Sequence, residues 1–206
     1  MKSLRPYCDK NRVEAGCDEA GRGCLAGPVV AGAVILNPNK AIMGLDDSKK
    51  LNEKSRLVIR EEILKSAIDY GIGIVTNIEI DEINILNASF LAMHRAIEAL
   101  SKKTPEHLLI DGNRFNPFKN IPHACIIKGD GIYQSIAAAS ILAKTTRDEI
   151  MSNLHKKHPQ YDWNKNKGYP TKKHRAAILK YGATKEHRMS FNPVSYTHLR
   201  AHETDR

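Results

Sequence analysis

Four acidic residues stand where a folded chain could deliver them to one place. Asp18 and Glu19 end a short apolar run and lead into Gly21 and Gly23, Asp111 ends Leu108-Leu109-Ile110, and Asp130 lies between Gly129 and Gly131. Each acid alone reads more readily as an ordinary turn or capping residue than as a catalytic one. If they converge, their mutual repulsion raises their pKa values unless cations neutralise them, and a metal site becomes the economical reading. An all-oxygen donor set suits hard Mg²⁺ or Mn²⁺, and two such ions about 3.5–4 Å apart can stabilise both the attacking and the leaving oxygen in phosphodiester cleavage. Spacing alone does not show the convergence.

The elements around these acids alternate between strand and helix. Val13 to Asp18 and the β-branched run Val29 to Leu36 read as a hairpin of buried strands. Asn52 can cap a helix beginning near Glu53, with Leu57, Ile59, Ile63 and Leu64 at helical spacing, and Tyr70 to Thr76 returns as a strand. Ile83, Leu86, Phe90, Met93, Ile97 and Leu100 advance in steps of three and four, which places one core-facing stripe on a long helix. Leu108 to Asp111 and Ala124 to Ile127 are short strands, Gln134 to His155 is an Ala-rich helix that follows Asp130 directly, and Lys172 to Tyr181 is a further helix. The alternation predicts one α/β domain ending in a basic helical region, with no internal repeat.

At 206 residues the chain is long enough for one well-buried core, and its formal charge is +9. Between Lys144 and Arg188 twelve Lys or Arg face four Asp or Glu, with Tyr161, Trp163 and Tyr169 interleaved. This reads as a phosphate-binding surface or, taken alone, equally as a merely solvated basic face. No apolar run is long enough to cross a bilayer and the start lacks the apolar stretch of a signal peptide, so a cytoplasmic protein is expected. Cys8, Cys17, Cys24 and Cys125 contain no CxxC pair and read as reduced thiols. The segment V-S-Y-T-H-L-R-A-H-E-T from Val194 can be encoded by a common transposase-type sequencing adapter. Residues 195–206 are therefore read as a non-native tail and carry no functional argument.

The run Cys17-Asp18-Glu19-Ala20-Gly21-Arg22-Gly23-Cys24-Leu25-Ala26-Gly27-Pro28-Val29-Val30 closely resembles the DEAGRGxLAGPVV signature of the ribonuclease HII family. Further segments agree in order: Asp47-Ser48-Lys49-Lys50-Leu51, Ile80 to Leu86, Leu109-Ile110-Asp111-Gly112-Asn113, Lys128-Gly129-Asp130, Ser135 to Lys144 with Arg147-Asp148, and Gly168-Tyr169-Pro170-Thr171. The resemblance runs from about Glu14 to Pro193. Cys24 departs from a common proline and Cys17 from a usual aliphatic or small residue.

The resemblance implies a ribonuclease H-like mixed sheet flanked by helices, with the basic C-terminal helices closing over nucleic acid, in a catalytic domain spanning residues 1–194. It implies an endoribonuclease that hydrolyses the RNA strand of RNA-DNA hybrids and cuts 5′ of ribonucleotides embedded in duplex DNA, leaving 5′-phosphate and 3′-hydroxyl ends. Carried over by motif, Asp18, Glu19, Asp111 and Asp130 are the catalytic residues and the ligands of two divalent ions, Mg²⁺ or Mn²⁺. Gly21, Arg22 and Gly23 contact the 2′-hydroxyl that separates RNA from DNA, and Tyr169 packs on the sugar at the DNA side of the junction. Lys49 and Lys144 lie near phosphates, with Ser48 a weaker candidate beside them. Asp148 is read as a structural ion-pair partner, and Cys17 and Cys24, adjoining the site, are expected to make it sensitive to oxidation or soft metals.

The partners expected are the hybrid and the ribonucleotide-containing duplex, no membrane, and a monomer. Three rivals are set aside, last among them a structural or scaffold role, which gives no reason for Gly21 to Gly23 beside Asp18 and Glu19. A ribonuclease HIII typically has an extra N-terminal domain and lacks the GRG triplet, and Asp18 comes too early for that. A catalytically silent nucleic-acid-binding module would need only the basic surface and gives no reason for all four acids.

Overall fold

The computed structural model describes residues 4–45 and 51–193; Ser48, Lys49 and the tail from Val194 lie outside them. The strands are β1 (Glu14–Ala20), β2 (Val29–Ile35), β3 (Asp69–Val75), β4 (His107–Asp111) and β5 (His123–Ile126). The helices are α1 (Glu53–Ser66), α2 (Asn77–Glu98), α3 (Gln134–Lys157), the single turn α4 (Trp163–Asn166) and α5 (Lys172–Tyr181). The sheet runs in the order β3-β2-β1-β4-β5. Strands β1 to β3 pair antiparallel, whereas β1, β4 and β5 pair parallel. This is the expected mixed sheet with helices on both faces, the ribonuclease H-like architecture.

Period-two alternation divides the core. Ala15, Cys17, Ala31, Ala33, Leu108 and Ile110 pack with Phe90, Met93 and Ile97 of α2 on one face. The intervening residues face α3, with Val34 against Ala138 and Ile141, and Leu109 against Ile136. Burying a side chain such as Ile110 contributes about 2 kcal/mol, which is why β2 and β4 read as unbroken apolar runs. On the α3 face the approach is main chain to main chain. A Cβ added at Gly16 would stand 2.2 Å from the Ser135 carbonyl carbon, and one at Gly32 2.5 Å from the Ala139 oxygen.

The helices begin where their caps stand. Asn52 accepts from the Ser55 amide at the start of α1, and Thr76 forms a capping box with Glu79 at the start of α2. Two departures from expectation have physical causes. Leu57 is exposed, because α1 turns its Ile59 and Ile63 side inward and leaves Leu57 outside that stripe. Helix α2 is broken at Asn84, whose φ is 64° and whose side-chain oxygen accepts from the Leu86 and Asn87 amides, capping the second half within the first.

Leu25 and Ala26 join Met151, Tyr161, Trp163, Ala177 and Ile178 in a second core that attaches α4 and α5 to the loop between β1 and β2. Tyr161 and Trp163 are thus interior residues stacked at 5.1 Å and not part of an exposed aromatic surface. Among the described residues, no helix is long and apolar enough to cross a membrane.

Candidate active site

The parallel pairing of β1 with β4 sets the acids. Cys17 is registered with Ile110, so the next step along both strands brings Asp18 beside Asp111 on the α3 face. Asp18 is 5% exposed and accepts from the Glu19 amide at 2.7 Å and from the Ser140 side chain of α3. Burial, then Glu19, then Asp111 hold its carboxyl well above the usual range. Burial also raises Glu19, opposed by Arg22, whose Nη1 lies 3.3 Å from Glu19 Oε1. The other oxygen, Glu19 Oε2, is buried and without a hydrogen-bond partner among the described residues.

Asp111 Oδ1 accepts the Gly129 amide at 2.7 Å, which ties the strand end to the 3-10 turn Gly129–Gly131. Asp130 is buried in that turn, one residue from the tether. Asp18, Glu19 and Asp111 are therefore in mutual electrostatic contact, and Asp130 adjoins them through the Gly129 bond. Among the described residues, no three His, Cys, Asp or Glu side chains are closed into a metal cage in this structure.

A cleft of about 380 Å³ opens over Asp18 and Glu19. Gly21, Arg22 and Gly23 form one wall, Lys144 and Ser140 of α3 another, and Tyr169 and Arg56 complete the rim. Asp111 and Asp130 are not among its lining residues. Arg22 is half exposed; Lys144 Nζ is bound to Asp148 Oδ1 at 2.5 Å, which makes Asp148 the ion-pair partner expected of it. Tyr169 is 43% exposed and its hydroxyl is raised by burial and by Cys24 beside it, so it remains a phenol.

The loop that carries Gly21 to Gly23 is held from beneath by two buried guanidinium groups. Arg147 donates to the carbonyls of Pro28, Lys167 and Ala26 at 2.9, 2.8 and 3.1 Å. Arg188 donates to those of Gly27, Arg22 and Pro28 at 3.0, 2.9 and 3.1 Å. Burial pulls Arg188 down to about 10, which leaves it charged at neutral pH. Gly21 has φ +99° and packs so closely on Arg147 that a Cβ there would lie 2.0 Å from its Nε.

The sequence counted Arg147 and Arg188 among surface cations, and both are interior. Arg56 and Ser140 carried no functional expectation, and the two arginines only that of cations in a basic surface. The available signals were a hydroxyl in the middle of the Ala-rich run before Lys144 and a cation one turn after the Asn52 cap. The expected thiol sensitivity is not supported by geometry. Cys17 lies in the core on the α2 face, Cys24 is buried, and burial raises both thiols.

Comparison with known proteins decides the family, because a model described as Ribonuclease HII matches residues 15–194. The chain belongs to the ribonuclease HII family. Ribonuclease HII of Bacteroides thetaiotaomicron is 64% identical over 189 residues, 92% of this chain and 94% of that one. That of Porphyromonas gingivalis is 58% identical over 191 residues, 93% and 94% of the two chains. Among solved structures, ribonuclease H2 of Pyrococcus horikoshii superposes with a TM-score of 0.73 at 26% identity, over 87% of this chain and 94% of that one. Ribonuclease HII of Archaeoglobus fulgidus, solved in complex with PCNA, gives 0.73 at 25% identity over 86% and 94%. Membership of ribonuclease HII makes the chain an endonuclease of the ribonuclease H class, a divalent-metal-dependent group that acts on RNA-DNA hybrids.

Proposed function

We propose that the enzyme hydrolyses the RNA strand of RNA-DNA hybrids and cuts 5′ of single ribonucleotides embedded in duplex DNA, leaving 5′-phosphate and 3′-hydroxyl ends. The observation that carries this reading is the placement of Asp18 beside Asp111, with the unpartnered Glu19 Oε2 buried next to them under the Gly21–Gly23 loop. Buried, mutually repelling carboxylates with a spare oxygen are a poor arrangement for a bare protein and a good one for hard cations. The donor set fits Mg²⁺ or Mn²⁺, and Asp18, Glu19, Asp111 and Asp130 are the residues that would hold them. Two ions, when bound, supply charge neutralisation at the attacking and leaving oxygens.

The chain's own groups supply recognition. Gly21, Arg22 and Gly23 present main chain to the 2′-hydroxyl, and the anchoring of the Arg22 carbonyl by Arg188 keeps that surface in one conformation. Arg22 holds Glu19 through one carboxylate oxygen and leaves the other buried and without a hydrogen-bond partner among the described residues. Lys144 and Arg56 offer positive charge to phosphates from the cleft, and Tyr169 covers the sugar on the DNA side of the junction. Lys49 and, more weakly, the Ser48 hydroxyl are further phosphate contacts by motif. The enzyme is taken to act in the cytoplasm as a monomer, with residues 1–194 as the single catalytic domain and 195–206 as the adapter-derived addition.

The test is a DNA duplex with one embedded ribonucleotide, incubated with Mg²⁺ or Mn²⁺ beside an all-DNA duplex and an Asp18→Asn variant. Cleavage on the 5′ side of the ribonucleotide, absent from both controls, is expected. Intact substrate that the folded protein nevertheless binds would overturn the reading in favour of a silent nucleic-acid-binding module.

A further inference from the structure

Tyr169 reaches the cleft from a bend whose main chain is tied from inside the protein. Its carbonyl oxygen accepts from the Thr171 amide at 2.8 Å and faces Nδ1 of His174 at 2.9 Å. A carbonyl can only accept, so His174 carries its proton on Nδ1. Its Nε2 is then an acceptor, and it meets the indole N–H of Trp163 at 2.9 Å. His187 Nε2 lies 3.3 Å from the same nitrogen. On the far side of that ring, His187 Nδ1 accepts the Thr184 amide at 2.9 Å, so its proton resides on Nε2 and points at His174.

One arrangement of protons satisfies every ring nitrogen. It runs from the Thr184 amide through His187 and His174 to the Tyr169 carbonyl, with Trp163 as a second donor onto His174 Nε2. Both imidazoles are neutral, and His174, His187 and Trp163 are fully buried. Burial lowers both histidines, which agrees with rings that do not take up a proton. A satisfied buried network of this kind specifies one conformation of the segments it joins, here the bend at Tyr169, α4 and the approach to Arg188.

We propose that His174 is a positioning residue for substrate, its Nδ1–H fixing the Tyr169 main chain and thereby the pose in which the phenol ring meets the sugar. The proposal rests on the reading of Tyr169 as a sugar contact. His174 does not touch nucleic acid. It acts through Tyr169, and Trp163 and His187 hold its ring in the one tautomer and orientation that can donate to the carbonyl.

Two amide substitutions separate the two sides of the ring. In His174→Asn the amide nitrogen stands near the place of Nδ1 and keeps a donor for Tyr169, while the acceptor for Trp163 is lost. In His174→Gln the side chain reaches the place of Nε2, keeps the acceptor and loses the donor. Steady-state cleavage of the duplex with one ribonucleotide should show KM raised about fivefold to tenfold in His174→Gln, with kcat within about twofold, and KM close to the parent in His174→Asn. Equal KM values in the two variants would overturn the proposal. Tyr169→Ala is measured alongside. If it raises KM and His174→Gln does not, the positioning role falls and the sugar contact stands; if it leaves KM unchanged, the sugar contact falls and takes the proposal with it.

A measurement on the unsubstituted protein is independent of whether the variants fold. Nitrogen-15 NMR of the ring nitrogens should find the His174 proton on Nδ1 and the His187 proton on Nε2, both slow to exchange. The opposite tautomer at His174 would overturn the proposal, because no bond to the Tyr169 carbonyl could then exist.

Discussion

Arg147 on α3 and Arg188 after α5 donate to the same carbonyl oxygen, that of Pro28, at 2.9 and 3.1 Å. Two like charges are brought together in the interior because five main-chain carbonyls of two segments converge on them. The planar fork of arginine suits this, since one guanidinium reaches three acceptors in fixed directions. The pair joins the loop after β1, the C-terminal segment and α3 into one unit.

Arg188→Lys should therefore be costly although it keeps the charge. One ammonium cannot reach all three carbonyls, and the acceptors left behind are buried. Urea unfolding should show a loss of about 3 kcal/mol. KM for a ribonucleotide-containing duplex should rise as well, because the Arg22 carbonyl is released.

Asp18→Asn should separate activity from stability. Removing one buried carboxylate that repels Glu19 and Asp111 should raise the melting temperature in metal-free buffer. Cleavage should fall by about a thousandfold or more, the several kcal/mol expected of charge stabilisation at the reacting oxygens. Saturating Mg²⁺ or Mn²⁺ should stabilise the parent more than the variant, since a ligand that binds only the folded state raises its stability. Thermal melts with and without chelator check both points.

Acid should loosen the C-terminal region before it reaches the carboxylates of the surface. His187 falls to about 4 from an ordinary value of 6.5, by burial first and then by His174, with His158 adding to the effect. The unfolded chain takes up this proton below 6.5 while the folded one does not until about 4. The contribution is thus complete above 6.5 and is lost as pH falls through that window. His187 alone should remove about 3 kcal/mol between pH 7 and 4. Arg175 beside His174 and His158 beside His187 add positive charge around the pair, which disfavours the protonated rings further. Unfolding measured across this range in the parent and in His187→Phe should show a shallower slope in the variant.

Alkylation should spare activity. Cys8 and Cys125 are exposed and Cys17 and Cys24 are buried with raised thiols. Iodoacetamide on the folded enzyme should modify the first two, by mass spectrometry, with cleavage unchanged. Modification of Cys24 with loss of activity would show that the loop opens more than its anchoring allows.

The sequence carried the elements wherever a local rule was decisive. Asn52 marked the start of α1 because a side-chain oxygen ahead of an apolar-periodic run is a cap whatever the rest of the chain does, and the bounds of α5 at Lys172 and Tyr181 were legible for a similar reason, with Thr171 before and Gly182 after. The strand ends at Asp18 and Asp111 were legible too, but their adjacency required the parallel register of β1 with β4, which joins residues distant in sequence. The break at Asn84 stayed hidden because the apolar stripe runs on unbroken across it. The interior position of Arg147 and Arg188 was invisible for a deeper reason. A cation reads as solvated unless carbonyls gather around it, and those carbonyls belong to loops that have no pattern of their own.

The contact of α3 with Gly16 and Gly32 bears on how this molecule can change over generations. Apart from the like contact of Gly71 and Gly73 with the main chain of α2, a volume lost at one position elsewhere in the core can be regained at its neighbour, and a drifting lineage can exchange one apolar residue for another. Where the helix lies directly on the sheet there is no side chain to exchange. In a saturation library, positions 16 and 32 should accept almost nothing while the apolar residues around them accept several alternatives. The height of Ser140 and Lys144 above Asp18 is thereby inherited as a fixed dimension, one that selection can keep or abandon but not adjust.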